Sequence, residues 1–393
     1  MDYIEGITSR LVKWAEGEKP GPYSLEFFVE RGCNQKCRFC DPNKNKISLD
    51  FKTAFKILKE AKGLDVKICR IVGIGEPFFK KDEMTKLMER VKQYDMFGHV
   101  ITNGSLLDER IVKKLVEIEW DEIDISIHGP DAATHDYLVR LPGAFDKVVH
   151  NIRRFNYWKK KLKKDKPKLK ICFTLNKVNY DKIENIVRLC EELNCNFLLR
   201  PLETDIVSGE SVRKLLLLND DEEKIVEKNI EKIKEIFKKS KIEIFLPYVD
   251  GKLITNVLPC KPEKKVNCNF KHKTFLKLNE NDWNKKVEDE ENITVLDSNN
   301  LVNSMCFEPW LNLTIRDYRY FGTCCKSIYP ILSEKKKRKY KSLKEIWFGE
   351  YFEKMRKDSI KRNFKGFCSA CCNDDTTHIS QHLKMIIDQK SIN

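Results

Sequence analysis

The chain has 393 residues, 41% of them hydrophobic, and a formal net charge of +14. That length suits one large domain with a smaller one, and the lack of any run of about 18 apolar residues argues against a membrane span. The fifteen cysteines include short-spaced groups, and the first ten residues have acidic side chains and no apolar signal-peptide segment. We therefore expect metal-bound thiols in a reducing cytoplasm rather than the disulfides of a secreted protein.

Strand-like and helix-like segments alternate between residues 24 and 201. The predicted strands are Leu25–Glu30, Lys67–Ile74, His99–Thr102, Glu122–Ile127, Leu169–Leu175 and Asn196–Arg200, and the amphipathic helices between them are Phe51–Ala61, Glu83–Tyr94, Asp108–Ile118, Asp146–Lys160 and Asp181–Leu193. Six strands joined by helices predict an α/β fold with a parallel sheet that closes towards a barrel. In such a sheet the chemistry gathers at the carboxyl ends of the strands.

Beyond residue 201 the pattern becomes less regular. A charged helix is predicted over residues 220–240 and a strand over Lys241–Leu246, whereas residues 249–303 are rich in Asn, Lys, Asp and Glu. We interpret the chain as three parts: a barrel over residues 1–205, a helix with an irregular insertion over 206–305, and a small cysteine-containing domain over 306–393.

Cys33, Cys37 and Cys40 follow the first predicted strand with the spacing C-x3-C-x2-C. A cubane [4Fe-4S] cluster has four irons, and ferredoxin-type proteins ligate each of them with a thiolate. Three thiolates on one loop leave the fourth iron open to a non-protein ligand. The alternative is a zinc site, which needs a fourth ligand nearby, but the next cysteine after Cys40 is Cys69. The triad therefore predicts an iron–sulfur site built for chemistry.

This spacing, with Phe39 before the third cysteine, resembles the signature of the radical S-adenosylmethionine (SAM) superfamily. The resemblance implies a partial (β/α)6 barrel in which the amino and carboxylate groups of SAM chelate the open iron. It also implies reductive cleavage of SAM to a 5′-deoxyadenosyl radical, which removes hydrogen from an unactivated C–H bond.

Further residues at predicted strand ends match this family in part. The segment from Gly73 to Pro77, with Ile74 in place of a glycine, is similar to the Gly-Gly-Glu-Pro motif that holds the SAM amino group, and glycines let the backbone approach a ligand. The resemblance implies SAM contacts by eight residues, which are Phe39, Gly73, Gly75, Glu76, Pro77, Ser126, Arg140 and Asn176.

The last three of these contacts have a structural alternative. Arg140 suits the SAM carboxylate and Asn176 the ribose, but each residue type also serves as a surface or capping residue. His128 stands where the family often has an acid two residues after Ser126. It is a candidate general acid/base, with a structural role as the alternative. Arg200 and Glu203, after the sixth predicted strand, are candidates for substrate contact.

A second group of cysteines lies between Cys306 and Cys372. This segment is similar to the SPASM and shorter twitch extensions of radical SAM proteins, which carry auxiliary [4Fe-4S] clusters. The single-cluster twitch form is favoured because no cysteine follows Cys372. We assign Cys306, Cys324, Cys368 and Cys371 as ligands, with Cys325 and Cys372 as competitors and structural zinc as the alternative. Cys260 and Cys268 are interpreted as free thiols.

The expected reaction is an oxidative modification of a peptide or small metabolite, with the auxiliary cluster as electron acceptor and a ferredoxin or flavodoxin as electron donor. RNA modification is an alternative, suggested by basic runs at residues 159–164 and 335–339. The same lysines also fit a solvated Lys/Glu-rich surface, since 34% of the residues are charged. A non-catalytic iron–sulfur or zinc protein is the third hypothesis.

Overall fold

The structure is a computed structural model. It describes residues 3–29, 32–40, 49–72, 75–203, 215–237, 240–249, 252–253, 256–257, 274–277, 308–317, 320–322, 329–330 and 342–360. Gly73, the eight cysteines after Cys195 and the basic run at 335–339 therefore lie outside the described residues.

Strands and helices alternate through the first two hundred residues. The strands are β1 (Ser24–Phe28), β2 (Ile68–Val72), β3 (Phe97–Thr102), β4 (Glu122–Ser126), β5 (Lys168–Thr174) and β6 (Asn196–Arg200). The helices are α1 (Tyr3–Ala15), α2 (Phe51–Gly63), α3 (Lys81–Gln93), α4 (Glu109–Glu117), α5 (Ala132–Val139), α6 (Ala144–Leu162) and α7 (Ile183–Glu192), with short 3-10 turns at Pro77–Lys80 and Tyr180–Lys182.

The later elements are shorter. The strands are β7 (Leu202–Glu203), β8 (Ile244–Val249), β9 (Lys252–Leu253), β10 (Asn256–Val257), β11 (Thr274–Lys277), β12 (Asn312–Asp317), β13 (Tyr320–Gly322) and β14 (Tyr329–Pro330). The helices are α8 (Asp220–Ile236), α9 (Glu308–Leu311), α10 (Leu343–Trp347) and α11 (Glu350–Ile360).

The described strands form one large sheet in the order β11-β8-β6-β5-β4-β3-β2-β1-β12-β13-β14, with β9 on β8 and a separate β7–β10 pair. Eight neighbouring strands, from β8 to β12, run parallel. This confirms the predicted parallel α/β sheet of a partial barrel. The sequence did not indicate that β12 pairs along β1, with Ser24 opposite Asn312 and Phe27 opposite Ile315.

Alternate strand residues build the main core. Leu25 and Phe27 of β1 are fully buried and join the same apolar cluster as Ile57 and Leu58 of α2. Because successive strand residues point to opposite faces, Glu26 lies on the face turned away from the helices. The sheet is thus covered by helices on one face and keeps polar groups on the other.

The starts of three helices are fixed by N-caps. Asp50, Asp108 and Asp131 each accept a hydrogen bond from the backbone N–H three residues on.

The last described helices pack back on the start of the chain. The indole N–H of Trp347 donates to the Pro20 carbonyl (3.0 Å), and the Leu343 N–H donates to the Glu60 carboxylate (2.6 Å). The Arg356 guanidinium lies over the rings of Trp14 and Trp347. The described helices α10 and α11 are therefore joined to the first part of the chain, and the boundaries at 205 and 305 stay a prediction. Among the described residues, no helix has both the length and the apolar character needed to cross a bilayer.

Candidate active site

The three cysteines of the triad lie on the loop of residues 32–40 after β1. Cys33 and Cys40 are exposed, Cys37 is half-buried, and none of the three is part of a disulfide. The loop is folded on itself, since the Cys40 N–H donates to the Cys37 carbonyl (3.1 Å) and the Gln35 N–H donates to the Cys33 sulfur (3.4 Å). The triad therefore sits at the carboxyl edge of the parallel sheet, where the sequence predicted the site.

Helix α5 holds this loop by its C-terminal end. The backbone N–H groups of Lys36 and Arg38 donate to the carbonyls of Val139 (3.2 Å) and Leu138 (2.8 Å), and the Arg38 side chain donates to the Tyr137 carbonyl (2.9 Å). The last carbonyls of a helix have no partner within the helix, so these bonds satisfy α5 while they fix the loop. The sequence pattern did not indicate α5, because its apolar residues lack a helical period, nor did it indicate this role of Arg38.

Phe39 points inward from the loop. It is buried with Leu138, Leu202 and Leu216, and its ring meets the His128 imidazole edge-on with the centroids 4.7 Å apart. This contact joins the cysteine loop to the end of β4. A direct contact of Phe39 with SAM stays a prediction.

His128 is held as a neutral structural group. Its Nδ1 accepts from the Thr174 N–H (3.1 Å), its N–H donates to His135 Nδ1 (3.0 Å), and its carbonyl accepts from the Asn179 amide (2.9 Å). Burial, with a smaller contribution from His135, lowers the pKa of His128 to about 3. At neutral pH the imidazole is therefore uncharged with Nδ1 in use, which supports the structural alternative over the general acid/base candidate.

Glu76 anchors the turn after β2. Its Oε1 accepts from the Phe78 N–H (3.0 Å) and the Thr102 hydroxyl (2.5 Å), and its Oε2 accepts from the Asn103 N–H (2.7 Å). Its own N–H donates to the Gly32 carbonyl beside the triad (2.8 Å). Only 1% of Glu76 is exposed, and burial raises the pKa of the carboxyl. Glu76 thus ties the cysteine loop, the Gly75–Pro77 turn and the end of β3 together, and its direct contact with SAM stays a prediction.

Asn103 was not singled out from the sequence, although it follows β3 directly in a Thr-Asn-Gly-Ser turn. Its side-chain NH₂ donates to the Asn34 side chain (2.9 Å) and reaches the Cys33 sulfur at 3.8 Å, and its Oδ1 accepts from Ser105. Gly104 follows with a φ of +71°, a conformation that favours glycine. A polar residue at the carboxyl end of a strand was the signal that could have identified it.

The remaining predicted contacts lie at the same edge of the sheet. Ser126 is the last residue of β4 and is half-buried. Arg140 caps α5 in a left-handed conformation (φ 54°) and is exposed. Asn176 is fully buried, and its amide bonds the Thr174 carbonyl (2.9 Å) and the Val178 N–H (3.0 Å) in the turn after β5. Because that amide is used within the chain, its ribose contact stays a prediction, as do those of Ser126 and Arg140.

The donor set of the loop fits an iron–sulfur cluster. Burial raises the pKa of Cys33, and burial together with the neighbouring thiols of Cys40 and Cys33 raises the pKa of Cys37. Three thiols this close repel each other as thiolates, and a bound metal centre offsets that cost. The N–H groups of Gln35 and Asn103 aimed at the Cys33 sulfur are the kind of outer contact that tunes such clusters. The loop is thus suited to hold a [4Fe-4S] cluster through Cys33, Cys37 and Cys40.

Charged side chains of both signs line the sheet face turned away from the helices. Asp124 is 3% exposed, with His99 Nε2 at 3.3 Å from Oδ2 and Lys170 Nζ at 3.6 Å from Oδ1. Burial alone would raise the pKa of Asp124, but His99, Lys170 and Arg200 hold it well below its usual range.

Ligand atoms of His99, Glu122 and Asp124 lie within 4.8 Å of one another. The Lys170 ammonium contacts both carboxylates, so it already supplies the positive charge there. We therefore assign no metal to this cluster. It is a compensated ion network at the centre of the sheet.

The basic run at the end of α6 is largely engaged within the chain. Lys159 donates to the Pro167 carbonyl (3.3 Å), Lys161 donates to the Tyr157 hydroxyl (3.2 Å), and Lys164 donates to the Glu117 carbonyl (2.7 Å). These contacts agree with a solvated structural surface more than with a stripe that follows a nucleic-acid backbone.

Comparison with known proteins shows what this part of the chain is similar to. Residues 28–190 match the family model described as Radical SAM superfamily. The match begins at the end of β1 and includes the cysteine triad.

Two curated relatives illustrate the range of similar proteins. The Fe-coproporphyrin III synthase of Methanosarcina barkeri is 25% identical over 190 residues, which are 47% of this chain and 44% of the relative. The PqqA peptide cyclase of Granulibacter bethesdensis is 28% identical over 136 residues, which are 34% of this chain and 36% of the relative. The chain thus spans under half the length of these relatives.

Solved structures share the fold. SuiB of Streptococcus suis bound to S-adenosylmethionine has a TM-score of 0.58 and 15% identity, covering 88% of this chain and 71% of that chain. The histidine-tagged anSMEcpe with bound AdoMet has a TM-score of 0.54 and 15% identity, covering 89% of this chain and 85% of that chain. The chain therefore shares its fold with these structures.

Proposed function

We propose that this chain is a radical SAM enzyme that cleaves SAM reductively and modifies a peptide or a small metabolite by hydrogen abstraction. The observation that carries the proposal is the loop of three neighbouring cysteines at the carboxyl edge of the sheet, hydrogen-bonded to Glu76 and Asn103. When bound there, a reduced [4Fe-4S] cluster with SAM supplies a 5′-deoxyadenosyl radical.

The protein residues position these groups. Cys33, Cys37 and Cys40 would hold the cluster and leave one iron for SAM. Glu76 fixes the turn at Gly75 beside the loop, and Phe39 and His128 form an apolar wall on the inner side. Ser126, Arg140 and Asn176 follow strands β4 and β5 at the same edge, where they are proposed to contact SAM. Gly73 and Pro77 complete the proposed set.

A peptide or a small metabolite is the proposed substrate. The match to a PqqA peptide cyclase supports a peptide, and the match to an Fe-coproporphyrin III synthase supports a small metabolite. The charged face around Asp124 and Lys170 supports a polar group on either one. RNA modification stays an alternative without a described surface that favours it.

We further propose a C-terminal twitch or SPASM-like auxiliary [4Fe-4S] cluster, held by Cys306, Cys324, Cys368 and Cys371, that accepts an electron during an oxidation. These cysteines lie outside the described residues. Support comes from flanking elements: α9 leads into β12, and Gly322 at the end of β13 pairs with Thr314 near the start of β12. The described residues nearest to Cys306 and Cys324 in the chain, Glu308 and Gly322, thus belong to elements at the same end of the β12–β13 hairpin. A reducing cytoplasm is the proposed location of the protein.

The test is anaerobic reconstitution with iron and sulfide, followed by an assay of 5′-deoxyadenosine with SAM and a strong reductant. A variant with Cys33, Cys37 and Cys40 all changed to alanine is compared with Cys195→Ala, a buried cysteine remote from the loop. We expect about eight irons per chain in the unchanged protein and in Cys195→Ala, and about four in the triple variant, which forms no deoxyadenosine.

Other outcomes separate the parts of this proposal. About four irons with bound zinc and intact deoxyadenosine formation would contradict the auxiliary cluster and keep the radical chemistry. A fully loaded protein that forms no deoxyadenosine, with or without a peptide mixture or porphyrin added, would contradict the radical SAM activity.

A further inference from the structure

The outer side of the cysteine loop forms a small cationic surface together with the end of α5. We define it as the loop patch: Lys36, Arg38 and Tyr137. Lys36 is exposed, and half of the Tyr137 side chain is exposed. The backbone bonds of Lys36 to Val139 and of Arg38 to Leu138 hold these three residues side by side.

The cations of the loop patch are ordered and lack an acidic counterpart on the same elements. The Arg38 guanidinium carbon lies 3.8 Å from the centroid of the Tyr137 ring. The neighbouring carboxylate of Asp136 is committed to α6, where it accepts from the N–H groups of Gly143 (2.6 Å) and Phe145 (2.9 Å). The Asp131 carboxylate caps the opposite end of α5. The patch is therefore a positive surface with an exposed aromatic ring.

The patch also borders the metal ligands. Lys36 and Arg38 flank Cys37 in the chain, and Arg38 is two residues from Cys40. A protein docked on this surface would be separated from the cluster by one turn of the loop. Since the proposed reaction consumes one electron for each SAM cleaved, a surface at this place suits an electron donor.

We propose that the loop patch is the docking surface of a small acidic one-electron donor protein, whose charge complements Lys36 and Arg38. In the complex the donor is oxidised by one electron and the cluster on Cys33, Cys37 and Cys40 is reduced by one. The inference rests on the proposed function, because it presumes that cluster. Complementary charge acts mainly on the rate of encounter and makes that rate sensitive to salt.

The experiment uses the full reconstituted chain and an acidic bacterial flavodoxin reduced to the hydroquinone. Stopped-flow absorbance follows the bleaching of the oxidised cluster at low and high salt. The variants are Lys36→Glu, the charge-conserving Lys36→Arg, and Lys160→Glu, which makes the same charge change at an exposed residue near the end of α6. Photoreduction with neutral 5-deazariboflavin measures the reducible cluster in each protein without any docking.

We expect the rate with flavodoxin to fall about tenfold in Lys36→Glu at low salt, and to stay within about twofold in Lys36→Arg and Lys160→Glu. The deazaflavin endpoint should be equal in all four proteins. A rate in Lys36→Glu equal to that of the unchanged chain would overturn the proposal. So would an equal loss in Lys160→Glu, or a rate in the unchanged chain that does not depend on salt.

The same measurements distinguish failure of the proposed function from failure of the docking surface. If deazaflavin reduces the cluster but no deoxyadenosine forms from SAM, the radical chemistry is contradicted, while the flavodoxin rates still test the docking surface. If deoxyadenosine forms normally but the flavodoxin rate is the same in Lys36→Glu and the unchanged chain, the docking surface is contradicted and the radical chemistry is supported.

Discussion

At the scale of single residues, the site is organised by polar groups that bind the cysteine loop to the ends of strands β2 and β3. Glu76 receives hydrogen bonds from Phe78, Thr102 and Asn103, and Asn103 in turn reaches the Cys33 sulfur. Such outer contacts orient metal ligands and tune the metal. The thiols are therefore preorganised by residues that the cysteine motif does not reveal.

Removal of Asn103 tests this organisation. In Asn103→Ala the Cys33 sulfur loses an N–H donor, so we expect a more negative cluster potential and about tenfold less deoxyadenosine formation, with iron content retained. A redox titration followed by electron paramagnetic resonance measures the potential. Asn156→Ala, whose side chain bonds the Leu193 carbonyl away from the site, is the control. An unchanged potential in Asn103→Ala would count against the role of this contact.

The buried histidine pair makes stability depend on pH. Burial lowers the pKa of His128 to about 3 and that of His135 to about 4, below the ordinary 6.5. The unfolded chain therefore takes up protons first, and the native state loses stability as pH falls from 6.5 towards 4. At pH 5 the loss is about 2 kcal/mol for each histidine.

The variant His135→Gln removes one of the two groups and keeps an acceptor for the His128 N–H. We expect its fall in free energy of unfolding between pH 7 and pH 5 to be about 2 kcal/mol smaller than that of the unchanged chain. Urea unfolding at both pH values measures it. His150→Gln, at an exposed histidine, should behave like the unchanged chain. Equal pH dependence in both variants would argue against the pair as its source.

At the scale of elements, the parallel strands place opposite charges beside one another. The register aligns Glu26, Arg70, His99 and Glu122 across β1 to β4, and sets Asp124 against Lys170 between β4 and β5. Buried charges are tolerated when they are paired. The strand register therefore decides whether this polar face is stable.

Lys170 supplies positive charge next to the carboxylates of Glu122 and Asp124. In Lys170→Met the carboxylates of Asp124 and Glu122 lose their ammonium partner, so we expect a loss of about 3–5 kcal/mol in the free energy of unfolding. Lys168→Met, at an exposed position two residues earlier on the same strand, should have little effect. Chemical unfolding of both variants compares them, and a Lys170→Met protein as stable as the Lys168→Met control would show that the network is not required.

At the scale of the whole molecule, the C-terminal part completes the barrel edge. Strand β12 pairs with β1, and Leu313 and Ile315 join the main core. Trp347 and Phe352 are fully buried, and burial lowers the pKa of Arg356 to about 10 beside their rings. The two ends of the chain thus stabilise one another.

A truncated chain tests that dependence. A protein ending at residue 305 would expose the edge of β1 and the apolar groups under α10 and α11, and unpaired edges promote aggregation. We expect it to be largely insoluble, whereas a chain ending at residue 361 keeps these elements and stays soluble. Soluble fraction and limited proteolysis are the measurements. A soluble, protease-resistant chain of 305 residues would contradict the expectation.

The order of strands and helices from residue 24 to residue 200 could be predicted from sequence, because apolar alternation and helical periods report burial directly. The cysteine spacing likewise predicted the site at the carboxyl edge. Helix α5 was missed because its apolar residues have no helical period, and β12 because nothing local shows which distant strand it pairs with.

The sequence by itself therefore determined the α/β class, the family resemblance and the cysteine triad, each of which depends on local pattern or spacing. Only the tertiary structure shows that Glu76 and Asn103 contact the triad loop, that the His128 imidazole is buried and hydrogen-bonded within the chain, and that Arg38 bonds the end of α5. These contacts join residues 27 to 99 positions apart, which chain folding brings together and no local pattern encodes.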